Sequence, residues 1–228
     1  MSVDVLHKAR DRGRPRPGGL TIRWRTIEWW GAGLCLFIQT SAVFPLLMAG
    51  AQGDLDDAAK AKLRLLSVPV YAFVGLILSR HVRELVIALK RNLPFHLLIA
   101  MPFLSVLWSV SPSISLRRAI GLLFSLFLAY LLAIRFTPRQ LLVLVMATLG
   151  ACILLSLAML ALSPGLARSP ADGAWRGVFL TKNTLGWYSS ILALVSFIVL
   201  RDATLGLRRT AGALLAASLG CPAASASL

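Results

Sequence analysis

Long apolar segments, separated by short clusters of Lys and Arg, constrain the fold of this chain more than any other feature. Hydrophobic residues make up 57% of the 228 and charged residues only 14%, and the mean hydropathy is +0.77. These values lie outside the range of soluble globular domains. A helix needs ~17–25 apolar residues to cross the hydrocarbon core of a bilayer, and several runs reach about that length. The sequence therefore predicts an all-α polytopic membrane protein.

Six complete transmembrane helices and a partial seventh are predicted. The spans are 27–50, a helix that passes through 65–79, then 93–108, 112–135, 141–162 and 184–200. A shorter segment, 81–92, carries apolar residues at helical spacing with charges on the opposite face, which predicts an interfacial helix. A disordered basic tail (1–26) precedes the transmembrane domain (27–209). The last segment, 210–228, is an incomplete seventh span that loses its apolar character after Leu219 and ends in an aberrant tail.

The distribution of Lys and Arg predicts the topology. Of the 24 Lys and Arg, seven lie in the N-terminal tail, four in 80–92, two in 135–140 and three in 201–209, whereas the alternate segments hold only eight. Cytoplasmic segments carry the excess of positive charge, so the N-terminus is expected in the cytoplasm. Segments 51–64, 110–118 and 164–183 are then loops on the outer side of the membrane. Because the basic residues form no continuous face, the net charge of +15 does not indicate nucleic acid.

Local signals predict where three helices begin. Asp54, Asp56 and Asp57 precede Lys60 and suit the first turn of a helix, with Asp56 and Lys60 as an i,i+4 pair. Ser111 and Pro112 suit the N-cap and the first position of the fourth span. Thr137 and Pro138 mark the start of the fifth span.

Four cations on the outer side of the membrane suggest an anion site. Arg117, Arg118, Arg176 and Lys182 lie on the side where the positive-inside rule disfavours them, and the two adjacent arginines follow a helix N-terminus, which also disfavours a cation. The fourth and sixth spans would direct their N-termini to the same side, where free N–H groups bind anions. A diphosphate fits, since Arg can grip it bidentately. The alternative is that these cations anchor the protein to phospholipid headgroups.

Two motifs resemble a known family. Trp175-Arg176-Gly177-x-Phe179-x-x-Lys182-Asn183, followed by Thr184-Leu185-Gly186, and Trp108-Ser109-x-x-Pro112 followed by Arg117 are similar to segments of the bacterial O-antigen ligase and polysaccharide polymerase family, in its exopolysaccharide-production branch. The resemblance covers about residues 30–200. It implies the N-terminal part of a glycosyltransferase C type fold and a membrane glycosyltransferase that needs no metal or cofactor. It also implies a bacterial inner membrane, with the loops 51–64, 110–118 and 164–183 in the periplasm.

The resemblance also implies partners and residue roles. The donor would be a polyprenyl-diphosphate-linked oligosaccharide, and the acceptor a glycan or lipid, among membrane lipids and other polysaccharide assembly proteins. Arg176 and one of Arg117 and Arg118 would hold the diphosphate, with Lys182 and Asn183 orienting it. The arginines would neutralise the leaving group while an acceptor hydroxyl attacks the anomeric carbon.

One departure from the family concerns the catalytic base. The family ordinarily continues into a large periplasmic loop that supplies a catalytic His and another Arg, whereas this chain is expected to encode only the donor half of the site, as from a truncated gene. His7, His81 and His96 are the only histidines and lie on or near the predicted cytoplasmic side. The catalytic residue is therefore unknown, and the chain is expected to be an inactive fragment when expressed alone. A non-catalytic assembly partner or a transporter fragment is the alternative of a different class.

Overall fold

The computed structural model describes residues 24–49, 56–169, 173–202 and 206–226, and these residues form an all-α protein. Most of the predicted basic tail and Asp54 lie outside this part of the chain. Residues 24–26, predicted to belong to the tail, form the first turn of a helix. The helices are α1 (Trp24–Gln39), α2 (Phe44–Ala49), α3 (Asp57–Ser79), α4 (Val82–Arg91), α5 (Leu93–Leu104), α6 (Pro112–Arg135), α7 (Pro138–Leu162), α8 (Pro164–Ala167), α9 (Lys182–Arg201) and α10 (Arg208–Ala226), with a 3-10 helix at Ser105–Trp108.

Four of these helices are long and apolar enough to cross a membrane. They are α3, α6, α7 and α9, with 23, 24, 25 and 20 residues. Helix α4 and the segment 96–108 would make a fifth if the pair, bent by 89°, formed one broken span. The chain is therefore a multi-pass membrane protein by the length and composition of its helices.

The first predicted span, 27–50, is broken into two helices. Helix α1 ends at Gln39 and α2 begins at Phe44, and between them Ser41 and Val43 have φ angles of 53° and 64°. Such angles are uncommon for residues other than glycine and are genuine outliers for a β-branched residue. The backbone N–H of Val43 donates to the carbonyl of Val178 at 2.8 Å, which holds the break against the loop before α9. Pro45, in the first turn of α2, also disfavours one continuous helix, because its ring would meet the Ser41 carbonyl.

Two apolar cores hold the bundle together. One joins α1, α3 and α6 and is built around Ala32, Val74 and Leu131. The other joins α7, α9 and α10 to the loop that precedes α9, and includes Ile153, Leu192 and Val199. In a bilayer such contacts contribute through packing, because lipid tails are as apolar as the side chains they would replace.

Ionic and aromatic contacts define one end of the bundle. The guanidinium of Arg135, at the end of α6, donates from Nε and Nη2 to Oε2 of Glu28 in α1. Arg139 of α7 pairs with Asp202 after α9 at 3.3 Å, and Arg80 lies 4.6 Å above the ring of Trp24. Residues from segments 24–28, 80, 135–139 and 202 therefore meet at one end. This grouping agrees with the alternation of sides on which the predicted topology depends.

Two of the three helix starts formed as predicted, with changes in the partners of individual side chains. Asp56 caps α3 by accepting from the Ala59 N–H at 2.6 Å, so Lys60 pairs with Asp57 at 3.2 Å and the predicted Asp56–Lys60 pair was wrong. Thr137 forms a capping box with Gln140, and α7 begins at Pro138 rather than near 141.

At the start of α6, Pro112 occupies the first turn, but Ser111 makes no side-chain capping bond. The nearby hydroxyls instead pair with each other, Ser109 with Ser115 at 2.6 Å. The seventh run also differs from its prediction, since α10 continues past Leu219 and ends at Ala226.

Candidate functional site

The loop with the first motif is buried in the helix bundle. Residues 174–179 are all buried, and the side chains of Trp175 and Phe179 are among the most buried large side chains of the described chain. Phe179 stacks on Tyr188 of α9 with ring centroids 5.2 Å apart. The sequence predicted a periplasmic loop over 164–183, and the structure packs its segment 174–179 between α7 and α9. The first half of the motif, residues 175–179, is therefore buried in the bundle, with Trp175 and Phe179 in its apolar core.

Gly177 is the point at which the loop approaches α7. Its φ is +61°, and a Cβ atom built there would lie 2.6 Å from both Cβ and Oγ of Ser156. The Ser156 hydroxyl accepts from the N–H of Val178 at 3.2 Å and donates to the Cys152 carbonyl. Only glycine satisfies both the left-handed backbone and the close approach. Gly177 of the motif thus has a packing explanation that is independent of ligand binding.

Arg176 is a buried cation without a carboxylate partner among the described residues. Its side chain and backbone together are 2% exposed, and the guanidinium makes one hydrogen bond there, from Nε to the Leu166 carbonyl at 3.4 Å. The backbone N–H groups of Arg176 and Gly177 both donate to the Ala167 carbonyl, at 2.9 and 3.1 Å. A buried guanidinium with so few partners is costly to stability.

Lys182 and Asn183, the other predicted site residues of this loop, are exposed in the first turn of α9. Thr181 caps this helix by accepting from the Thr184 N–H at 3.3 Å. The motif is therefore divided between a buried half, with Arg176, and an exposed half at a helix N-terminus. The roles predicted for Arg176, Lys182 and Asn183 stay predictions.

Arg117 and Arg118 line a groove between α3 and α6 with a volume of about 640 Å³. We call it the cationic groove. Its lining residues are Asp57, Lys60, Arg64, Ser67 and Tyr71 from α3, and Ile114, Arg117, Arg118, Ile120 and Gly121 from α6. The α3 residues recur at intervals of three and four and so share one face of that helix. Arg176 does not line the groove, so the structure does not place it in one cavity with Arg117 and Arg118.

The charge of the cationic groove is strongly positive. Four cations face one carboxylate, and Asp57 already pairs with Lys60 at 3.2 Å. In the part of the chain that the structure describes, Arg64, Arg117 and Arg118 form no ion pair. Three guanidinium groups around one cavity repel one another unless an anion lies between them. The groove also has apolar walls from Tyr71, Ile114 and Ile120, so it suits an anion attached to a hydrocarbon.

Lys60 and Arg64 were missed as site residues by the sequence analysis, which treated them as part of a helix start and of the charge count. A signal for them was present, because Lys60, Arg64, Ser67 and Tyr71 lie on one helical face at i, i+4, i+7 and i+11. The partner face of α6 could not be identified from one sequence. Among the described residues no group of His, Cys, Asp and Glu is placed to hold a metal ion.

Comparisons with protein-family models, with curated proteins and with solved structures gave no match to this chain.

Proposed function

We propose that this chain binds a polyprenyl-diphosphate-linked glycan at the periplasmic face of a bacterial inner membrane and takes part in its polymerisation or ligation during exopolysaccharide or O-antigen biosynthesis. The single observation that carries the proposal is the cationic groove. It brings three unpaired guanidinium groups and Lys60 to one cavity with apolar walls. The two motifs at 108–118 and 175–186 supply the reaction class by resemblance.

The groove matches the chemistry of such a donor. Arg64, Arg117 and Arg118 have no carboxylate partner among the described residues, and a diphosphate would supply the negative charge. Guanidinium groups bind phosphate oxygens bidentately. A polyprenyl chain could follow the apolar walls of α3 and α6 into the bilayer. The volume of about 640 Å³ lies within the range of ~300–1,000 Å³ that is usual for small-molecule sites.

The proposal includes the finer predictions of the sequence analysis. The N-terminus lies in the cytoplasm, six complete spans and a partial seventh cross the membrane, and the chain corresponds to the N-terminal part of a glycosyltransferase C type fold. Residues 24–49 and 93–108 then cross as broken or short helices. Arg176, Lys182 and Asn183 are proposed as further contacts of the diphosphate, with Arg176 acting from its buried position.

Photo-crosslinking tests the binding part of the proposal. The purified chain is reconstituted in phosphatidylcholine nanodiscs with a polyprenyl diphosphate that carries a photoreactive group near the diphosphate. Labelled peptides are expected from 57–71 and 114–121, and excess phosphatidylglycerol should not suppress them. Labelling suppressed by phosphatidylglycerol would favour the headgroup-anchor alternative. Labelling spread over the lipid-facing helices would contradict the proposal.

Glycan transfer separates an enzyme from an assembly partner. Liposomes that contain the chain, a polyprenyl-diphosphate oligosaccharide and an acceptor glycan are assayed for free polyprenyl diphosphate and a lengthened product. Release of both at equal amounts would identify a transferase, since each transfer breaks one bond to the diphosphate and forms one to the acceptor. Donor binding without transfer is the result expected of a transferase fragment that lacks the catalytic base, and a non-catalytic assembly partner would give the same result.

A further inference from the structure

A second cavity adjoins the cationic groove on the other side of Arg64. It has a volume of about 210 Å³ and lies between the break in the first predicted span and α3. Arg64 and Ser67 line both cavities. An occupant of the second cavity therefore lies directly beside an anion in the groove. We call this cavity the side pocket.

The walls of the side pocket combine a few polar groups with an apolar surface. Gln39, Ser41 and Ser67 supply the uncharged polar groups, and Phe44 and Pro45 are part of the apolar wall. The Gln39 amide nitrogen donates to the Ser125 hydroxyl at 3.2 Å, which leaves the amide oxygen for another donor. Within the described residues the Ser41 hydroxyl makes no hydrogen bond. Sites for small ligands have this composition, an apolar wall with a small number of placed polar groups.

The break between α1 and α2 creates this arrangement. In a continuous helix through 39–44, the side chains of Gln39, Ser41 and Phe44 would point in different directions around the helix axis. The left-handed backbone at Ser41 and Val43 turns the chain, so that these three side chains line one cavity. Backbone in sparsely populated regions costs ~1–3 kcal/mol for each residue and is concentrated at functional sites. The side pocket is built around this strained break.

We propose that the side pocket binds the sugar ring attached to the diphosphate of the lipid-linked donor. This inference rests on the proposed function, because it takes the diphosphate to lie in the cationic groove. Arg64, at the junction, is suited to contact the phosphate that bears the sugar. The volume is below the ~300–1,000 Å³ of drug-sized sites and corresponds to one ring rather than an oligosaccharide. Gln39 and Ser41 would hydrogen-bond ring hydroxyls, and Phe44 and Pro45 would contact the C–H face.

Binding of two lipids by the full chain tests the inference. The probes are undecaprenyl diphosphate and undecaprenyl diphosphate that carries one N-acetylglucosamine, titrated against the chain in phosphatidylcholine nanodiscs. The variants are Gln39→Leu, which removes the amide at similar volume, and Ser41→Gly, which removes the hydroxyl and tolerates φ 53°. The matched control is Ser125→Ala, which removes the hydrogen bond to Gln39 but no lining residue of the pocket.

The wild-type chain should bind the sugar-bearing lipid more tightly than the lipid without sugar. Each variant should weaken only the sugar-bearing lipid, by roughly three- to tenfold, as expected for one lost hydrogen bond. Ser125→Ala should change neither affinity. A thermal unfolding curve of each variant shows whether it remains folded.

Other results would overturn the inference in distinguishable ways. Equal affinity for both lipids, unaffected by either variant, would exclude a sugar subsite and leave the diphosphate site standing. A weaker affinity for both lipids in Gln39→Leu and Ser41→Gly would also contradict it, since the pocket would then act on the diphosphate. Absence of binding to either lipid would overturn both this inference and the proposed function.

Discussion

Arg176 is the residue whose environment differs most from what the sequence suggested. A cation in a loop between two apolar runs is expected to face water, yet Arg176 is 2% exposed and its guanidinium finds one weak acceptor among the described residues. Its burial depends on the approach of the loop to Ser156 and on the packing of Trp175 and Phe179, which are contacts between distant segments. Hydropathy along the chain contains no information about such contacts.

We expect Arg176→Met to leave the melting temperature unchanged or to raise it. Replacing a buried ionic group with an apolar side chain of similar volume is often neutral or stabilising, by up to ~1–4 kcal/mol. Thermal unfolding in detergent measures the effect, with Arg168→Met as an exposed control from the same loop. A clear fall in melting temperature for Arg176→Met alone would show that the guanidinium stabilises the loop, and would remove the argument that it is retained for function.

Gly177→Ala should destabilise the protein by about 1–3 kcal/mol. The substitution places a Cβ atom 2.6 Å from Ser156 at a φ of +61°, so both overpacking and backbone strain contribute. Gly186→Ala is the matched control, because it lies in α9 with no atom within 4 Å of the new Cβ and alanine favours a helix. If Gly177→Ala unfolds at the same temperature as Gly186→Ala, the described packing of the loop on α7 is incorrect.

At the scale of elements, the sequence contains local signals for the helix starts and also for the break in the first span, which the prediction of one span over 27–50 did not use. Helices α6 and α7 begin at Pro112 and Pro138, and α9 begins after Thr181. The break at 40–43 is followed by Pro45 in the first turn of α2, and in a continuous helix the ring of Pro45 would meet the Ser41 carbonyl. The left-handed φ angles also depend on the Val43–Val178 hydrogen bond, whose partner is 135 residues away in the sequence, so the geometry of the break could not be predicted locally.

Ser41→Gly should be neutral or stabilising by up to ~1 kcal/mol, because glycine adopts positive φ without the steric cost of a side chain. Ser113→Gly is the comparison, since Ser113 is exposed within α6 and glycine there should lower stability by ~0.5–1 kcal/mol. Chemical denaturation of the two variants against the wild type gives both values. Equal destabilisation by both substitutions would indicate that residue 41 is helical and that the first span is continuous.

At the scale of the whole molecule, the charge count predicts which segments share a side of the membrane, and the cationic groove required the structure. The contacts Arg135–Glu28, Arg80–Trp24 and Arg139–Asp202 bring basic segments to one end of the bundle. The groove forms where a face of α3 meets a face of α6, and a single sequence indicates neither face's partner. The sequence therefore predicted Arg117 and Arg118 as site residues, but it did not indicate that Lys60 and Arg64 line the same groove.

Thiol labelling tests the proposed orientation of the bundle. Arg168→Cys and Arg83→Cys place single exposed thiols at opposite ends, in a background with Cys221 replaced by Ala, while Cys35 and Cys152 are buried. A membrane-impermeant maleimide should label residue 168 in intact cells and residue 83 only after permeabilisation, as expected from the excess of positive charge in the cytoplasm. The reverse pattern would contradict the N-in assignment and place the cationic groove in the cytoplasm.

The most direct test of the account is the affinity of the cationic groove for a polyprenyl diphosphate. The full chain in phosphatidylcholine nanodiscs is titrated with undecaprenyl diphosphate, and the wild type is compared with Arg117→Gln/Arg118→Gln and with Arg83→Gln/Lys90→Gln, which removes the same charge from α4. Loss of two charge-assisted contacts at ~1.5–3 kcal/mol each should weaken binding by about 100-fold or more in the first variant only. Equal affinity in all three proteins, or an equal loss in both variants, would show that the groove does not bind the diphosphate.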